Sequence, residues 1–144
     1  MPETVSENAD LAAGFGAETV AKIMAATGIE RRPVSRTHTV GDLGAAAAAR
    51  LLDGLGWDRS SVGLLIVVTQ TPDYPLPSTA AVIQNLLGLL PSTMAFDIGL
   101  GCSGYVYGLS VVASLMQASG IGRALLVAGD MTTRMISEDN RSLA

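Results

Sequence analysis

Cys102 is the one cysteine in a chain of 144 residues. It stands in the run Phe96-Asp97-Ile98-Gly99-Leu100-Gly101-Cys102-Ser103-Gly104-Tyr105, where an apolar, strand-like stretch gives way through glycines to a long helical pattern. A thiol at such a junction is placed for nucleophilic chemistry. Unsatisfied backbone N–H groups at a helix start carry partial positive charge, which favours the thiolate, the form that attacks carbonyl carbon. Gly99, Gly101 and Gly104 lack Cβ atoms, so an acyl group or its carrier arm can approach the backbone closely. The same residue types also fit a lone core cysteine acting as a small hydrophobe, and at this level both readings stand.

The elements that must position Cys102 read as alternating helices and strands. Residues 6–26 carry a helical apolar pattern through Leu11, Val20, Ile23 and Met24, stopping at Thr27-Gly28, and a loop is expected over Glu30-Arg31-Arg32-Pro33. Asp42 is expected to cap a helix through the alanine run 45–49 to about Gly54, where small side chains suit close packing. Val62–Thr69 is a continuous β-branched run, the mark of a strand covered on both faces. A Pro-rich loop follows, then a helix from about Ser78 to Leu87. A strand over Met94–Ile98, a helix over Ser103–Ser119 and a strand over Arg123–Gly129 complete the pattern. This alternation predicts a layered α/β domain with ligands at the carboxyl ends of strands, where both the Pro-rich loop and Cys102 fall.

Composition narrows the partners. An apolar fraction of 49% predicts a folded chain. A net charge of -4 with nine scattered Lys and Arg gives no footprint for nucleic acid or anionic lipid. A single cysteine excludes an intrachain disulfide framework and a cysteine-rich metal site, so no metal is expected and the default setting is the reducing cytoplasm. The first ten residues place acids where a secretory leader carries bases, so export by that route is not expected. Ile98–Gly122 has no charged residue, but six glycines and four serines interrupt it, and a buried helix is favoured over a membrane span. Gly104 and Gly108 form a small-xxx-small pair that suits tight helix packing.

Taken together, Ala95-Phe96-Asp97-Ile98, Gly101-Cys102-Ser103-Gly104-Tyr105-Val106-Tyr107-Gly108-Leu109, Thr71-Pro72-Asp73-Tyr74-Pro75-Leu76-Pro77-Ser78-Thr79-Ala80 and Ala124–Asp130 resemble the β-ketoacyl-acyl carrier protein synthase III family of the thiolase superfamily. Thr27-Gly28-Ile29-Glu30-Arg31-Arg32 fits the same pattern. The resemblance implies an α/β, thiolase-like layered fold, a mixed sheet with helices on both faces. Residues 1–144 would form the N-terminal half of a duplicated architecture and carry the nucleophile. The family's catalytic His and Asn lie in the second, homologous half, outside this chain, and this half alone is expected to be inactive. The family's usual first strand is also expected to be missing, with Pro2-Glu3 at its end.

The activity implied by the resemblance is a decarboxylating Claisen condensation in fatty-acid or polyketide assembly. Cys102 would take the acyl group from a coenzyme A or carrier-protein thioester, with its own backbone N–H as an oxyanion donor, and malonyl-acyl carrier protein would supply the attacking carbanion. Acyl carrier protein is the implied partner and a homodimer the implied assembly, with no permanently bound cofactor. Leu76 and Pro77 would wall the acyl pocket, and Arg141 matches a family arginine near the cofactor entrance. Lys22 and Ala26 stand where many members clamp adenine with Trp and Arg, which weakens coenzyme A as donor. His38 does not match the catalytic histidine and is expected to be a solvated loop residue. Asp97 is expected to hold loop amides, and Trp57 to be a packing residue. Two alternatives remain: acyl transfer to a hydroxyl or amine, and a truncated or noncatalytic partner subunit.

Overall fold

A computed structural model of the chain describes residues 4–35 and 37–132. The chain forms two units, one from the residues before Thr39 and one of Thr39–Met131. In the first, β1 (Thr4–Glu7) pairs antiparallel with β2 (Arg31–Val34), Thr4 opposite Val34 and Glu7 opposite Arg31. Between them lie a 3-10 turn (Asn8–Leu11), α1 (Ala12–Phe15) and α2 (Ala17–Thr27). This corrects two expectations. Residues 6–26 are not one helix, because Gly16 turns the chain at φ 85° and Thr4–Glu7 is extended. The segment from Arg31 is a strand rather than a loop, and its hydrogen bonding comes from β1. Gly28 closes α2 in the left-handed conformation with its N–H on the Met24 carbonyl, as expected from the Thr-Gly stop.

The second unit is built on three parallel strands in the order β4-β3-β5: β3 (Leu64–Val68), β4 (Met94–Ile98) and β5 (Ala124–Ala128). Every residue of β3 is buried, which is why the run reads as continuously apolar. Alternation along β3 feeds two cores. Leu65 and Val67 pack with Leu52 of α3 (Val40–Leu55) and Ile83 of α4 (Thr79–Leu87), whereas Leu64, Ile66 and Val68 pack with Val111, Val112 and Leu115 of α5 (Gly104–Ser119). Burying such side chains contributes about 1.5–3 kcal/mol each, so these two layers hold the unit together. Helices cover both faces of the sheet, as the alternation and the resemblance imply. Among the described residues, however, the larger sheet is wholly parallel and the antiparallel pair is separate from it.

Local chemistry sets the helix ends. Thr39, not Asp42, is the N-cap of α3: its hydroxyl accepts from the Asp42 N–H at 3.1 Å, while Asp42 Oδ2 accepts from the Thr39 N–H at 2.9 Å. Asp42 therefore stands at the third helical position of a capping box. Ala45 and Ala48 are buried against the core, the packing role expected of the alanine run. No helix among the described residues is long and apolar enough to cross a membrane. The sixteen residues of α5 span about 24 Å, short of a bilayer's roughly 30 Å of hydrocarbon.

Candidate active site

Parallel register puts the carboxyl ends of all three strands on one edge. Val68 stands level with Ile98 on one side and Ala128 on the other, so the loops after β3, β4 and β5 leave together. Three carboxylates organise that edge. Asp130, just past β5, accepts from the Thr69 hydroxyl at 2.9 Å, the Gln70 N–H at 2.6 Å and the Thr71 hydroxyl at 3.2 Å. Asp73 accepts from the Thr39 hydroxyl at 2.8 Å and the Gly41 N–H at 3.0 Å, joining the Pro-rich loop to the start of α3. Asp97, on β4, accepts from the Thr79 and Ala80 N–H groups, both at 2.7 Å, with a different oxygen for each. An anion at a helix start satisfies orphan donors and meets the positive end of the helix dipole. Asp97 thus holds backbone amides, as expected. Asp97→Ala is expected to lower unfolding free energy by about 2 kcal/mol, read from denaturant midpoints.

Between β4 and α5 the chain makes two tight turns. The Leu100 N–H reaches the Ile98 carbonyl at 3.0 Å, and the Gly104 N–H reaches the Gly101 carbonyl at 2.7 Å, closing a turn over Cys102 and Ser103. Ser103 is the N-cap of α5 and makes no side-chain capping bond. Cys102 therefore lies one residue before the cap and is exposed. An open thiol directly before a helix start that has no side-chain cap is reachable from solvent. Its exposure leaves little for the small-hydrophobe reading to explain.

Gly101 lets the turn lie close to Gln70, two residues past the end of β3. A Cβ there would sit 2.6 Å from Gln70 Oε1, so the Gln70 carboxamide flanks the residue before the thiol. Gln70 also lines an open groove of about 540 Å³ together with Tyr74, Leu76, Ser78, Asp97 and Gly99. Leu76 is 86% exposed on its wall. Pro77, joined to Leu76 by a cis peptide, is exposed, and neither it nor Cys102 is part of the lining. Arg141 lies outside the described residues. His38 corrects an expectation: it is half-buried, with Nδ1 hydrogen-bonded to the Ser35 hydroxyl at 2.9 Å, not freely solvated. Lys22 is exposed and pairs with Glu18 at 2.8 Å. Trp57 packs against the core with Arg123 over its ring, 4.8 Å from the centroid. Among the described residues no cluster of three His, Cys, Asp or Glu side chains is arranged to hold a metal ion. Asp130 and Gln70 are the site residues that residue types alone do not pick out.

Two-sided helical cover on a parallel sheet, with a cysteine at the exit of β4, defines a thiolase-like α/β half-fold. A family model for 3-oxoacyl-[acyl-carrier-protein (ACP)] synthase III matches residues 96–144. A putative 3-oxoacyl-[acyl-carrier-protein] synthase 3 of Campylobacter jejuni is 44% identical over 88% of this chain and 36% of its own length. A β-ketoacyl-[acyl-carrier-protein] synthase III of Streptomyces coelicolor is 38% identical over 100% of this chain and 43% of its own. The crystal structure of a 3-oxoacyl-(acyl-carrier protein) synthase from Burkholderia xenovorans superposes with a TM-score of 0.89 at 40% identity, over 98% of this chain and 41% of that one. The chain belongs to the synthase III family. It spans about two fifths of the length of these curated relatives, 36% and 43%.

Proposed function

We propose that this chain is the nucleophile-bearing half of a condensing acyltransferase, with Cys102 as the acyl carrier. The observation that carries this reading is the exposed thiol at the shared carboxyl edge of three parallel strands, directly before an uncapped helix. The thiolate attacks the carbonyl carbon of an acyl thioester, a tetrahedral oxyanion forms, and the donor's thiol leaves, so that one acyl group is transferred to Sγ. The backbone N–H of Cys102 is a candidate oxyanion donor. Malonyl-acyl carrier protein then loses carbon dioxide, and the resulting carbanion attacks the acyl carbon, forming the carbon–carbon bond and returning Sγ as thiolate. A covalent intermediate splits one difficult bond formation into two easier steps.

Leu76 and Pro77 wall the acyl site beside a second copy of the chain, and acyl carrier protein delivers the substrates in fatty-acid or polyketide assembly. No permanently bound cofactor is required. The exposed Lys22–Glu18 pair offers no stacking surface for adenine, which supports a carrier-protein thioester as donor.

Loading is the step this half supplies, and decarboxylation is assigned to the second half. Intact-mass measurement after incubation with acyl-carrier-protein and acyl-coenzyme A thioesters is expected to show one hydroxylamine-sensitive acyl adduct. Adding malonyl-acyl carrier protein to the isolated chain is expected to release no carbon dioxide. An adduct that moves to a hydroxyl or amine acceptor would support the alternative acyltransfer reading. No adduct from either donor would overturn the acyl-cysteine step and leave a noncatalytic partner.

A further inference from the structure

Gln70 is the first polar residue to leave the carboxyl edge beyond Thr69, where its backbone N–H is fixed on Asp130 at 2.6 Å. The side chain projects from a pinned position. Its carboxamide packs against Gly101, the neighbour of Cys102. It lines the groove that runs to Leu76, and it makes no hydrogen bond of its own among the described residues. A primary amide offers two donors and one accepting oxygen. Two other polar groups that line the groove are engaged, Thr69 with Asp130 and Asp97 with the start of α4.

From this geometry, and resting on the acyl-cysteine reading above, we propose that Gln70 is a specificity-determining residue that selects acyl groups carrying a hydrogen-bonding oxygen, hydroxyacyl or oxoacyl, over plain hydrocarbon chains of equal length. An alkyl chain laid along this wall strips water from the carboxamide and returns nothing. An oxygenated chain replaces the lost water. Pro72, Pro75 and Leu76 cover the chain's carbon skeleton further along the groove. A site that hydrogen-bonds a substrate group discriminates against the analogue lacking it, because its own polar atoms are then left unpaired.

The test compares loading rates of Cys102 by intact mass, using matched hydroxyacyl, oxoacyl and alkanoyl thioesters of one carrier, in the native chain and in Gln70→Leu. The native chain is expected to load at least one oxygenated group about fivefold faster than the alkanoyl one, and Gln70→Leu is expected to bring that ratio to about one. Gln70→Asn, which keeps the amide on a shorter arm, is expected to retain part of the preference. Equal ratios in the native chain and Gln70→Leu would overturn the proposal while leaving acyl loading intact. No loading of any thioester would overturn the acyl-cysteine reading, and the proposal with it.

Discussion

Cys102→Ala is expected to abolish the acyl adduct, a loss of at least about 10³-fold in loading rate, while leaving unfolding free energy within about 0.5 kcal/mol of the native chain. The two halves of that result come from different facts. Loading fails because Sγ is the one thiol in the sequence, and a neutral hydroxyl such as that of Ser103 is a far weaker nucleophile toward a thioester, while Asp97 is spent on the start of α4. Stability holds because the thiol is exposed and no packing is lost with it. If the cysteine were a core hydrophobe, the pattern would invert, with a measurable stability loss and no effect on acyl transfer. Intact mass with thioesters and chemical denaturation of the same two samples therefore separate the readings. An alanine variant that still acquires an alkali-labile acyl group at the native rate would remove Cys102 from the mechanism.

How much of this is legible in the residues depends on whether the deciding contact is local. β4 falls on Met94–Ile98 as expected, and α4 runs from its Ser78 cap to Gly88, because strand composition, cap and left-handed glycine are all short-range signals. Asp42 stands elsewhere than expected for the opposite reason: a capping box needs both partners, and Thr39 is read only when the reciprocal bond is seen. β2 carries two arginines and a proline with no alternation, and its extended form comes from pairing with β1 across more than twenty residues. The site divides in the same way. Cys102 stands out from its neighbours, whereas a carboxylate at the position of Asp97 by itself invites an acid/base role, and its structural role is implied only by the family resemblance. The tie between Asp130 and Thr69, 61 residues apart, exists only through the register of β3 with β5. The approach of Gln70 to Gly101 likewise depends on β3 and β4 ending level.

Gly104→Val is the substitution expected to damage the fold most directly at the site, at a cost of about 3 kcal/mol. A Cβ at Gly104 would lie 2.5 Å from Val68 Cγ1 and 3.1 Å from Leu100 Cβ. Val68 has nowhere to go: it is β-branched, 4% exposed, and hydrogen-bonded strands flank it on both sides. The start of α5 must move instead, carrying with it the turn whose 2.7 Å bond from Gly104 to Gly101 encloses Cys102. One turn along, a Cβ at Gly108 would meet Leu126 Cδ1 and Val68 Cγ2 at 3.0 Å, contacts that partly yield because Leu126 ends in mobile methyl groups. Gly108→Ala is therefore expected to cost less, about 1 kcal/mol, and to leave the thiol's surroundings closer to native. Thermal melts should place Gly104→Val on the order of 10 °C below the native chain, with Gly108→Ala between them, and iodoacetamide labelling of Cys102 should change more in the first variant than in the second. Native-like melting and labelling of Gly104→Val would show that α5 does not need a bare backbone against Val68, and that the position of the nucleophile is set by something other than this close approach.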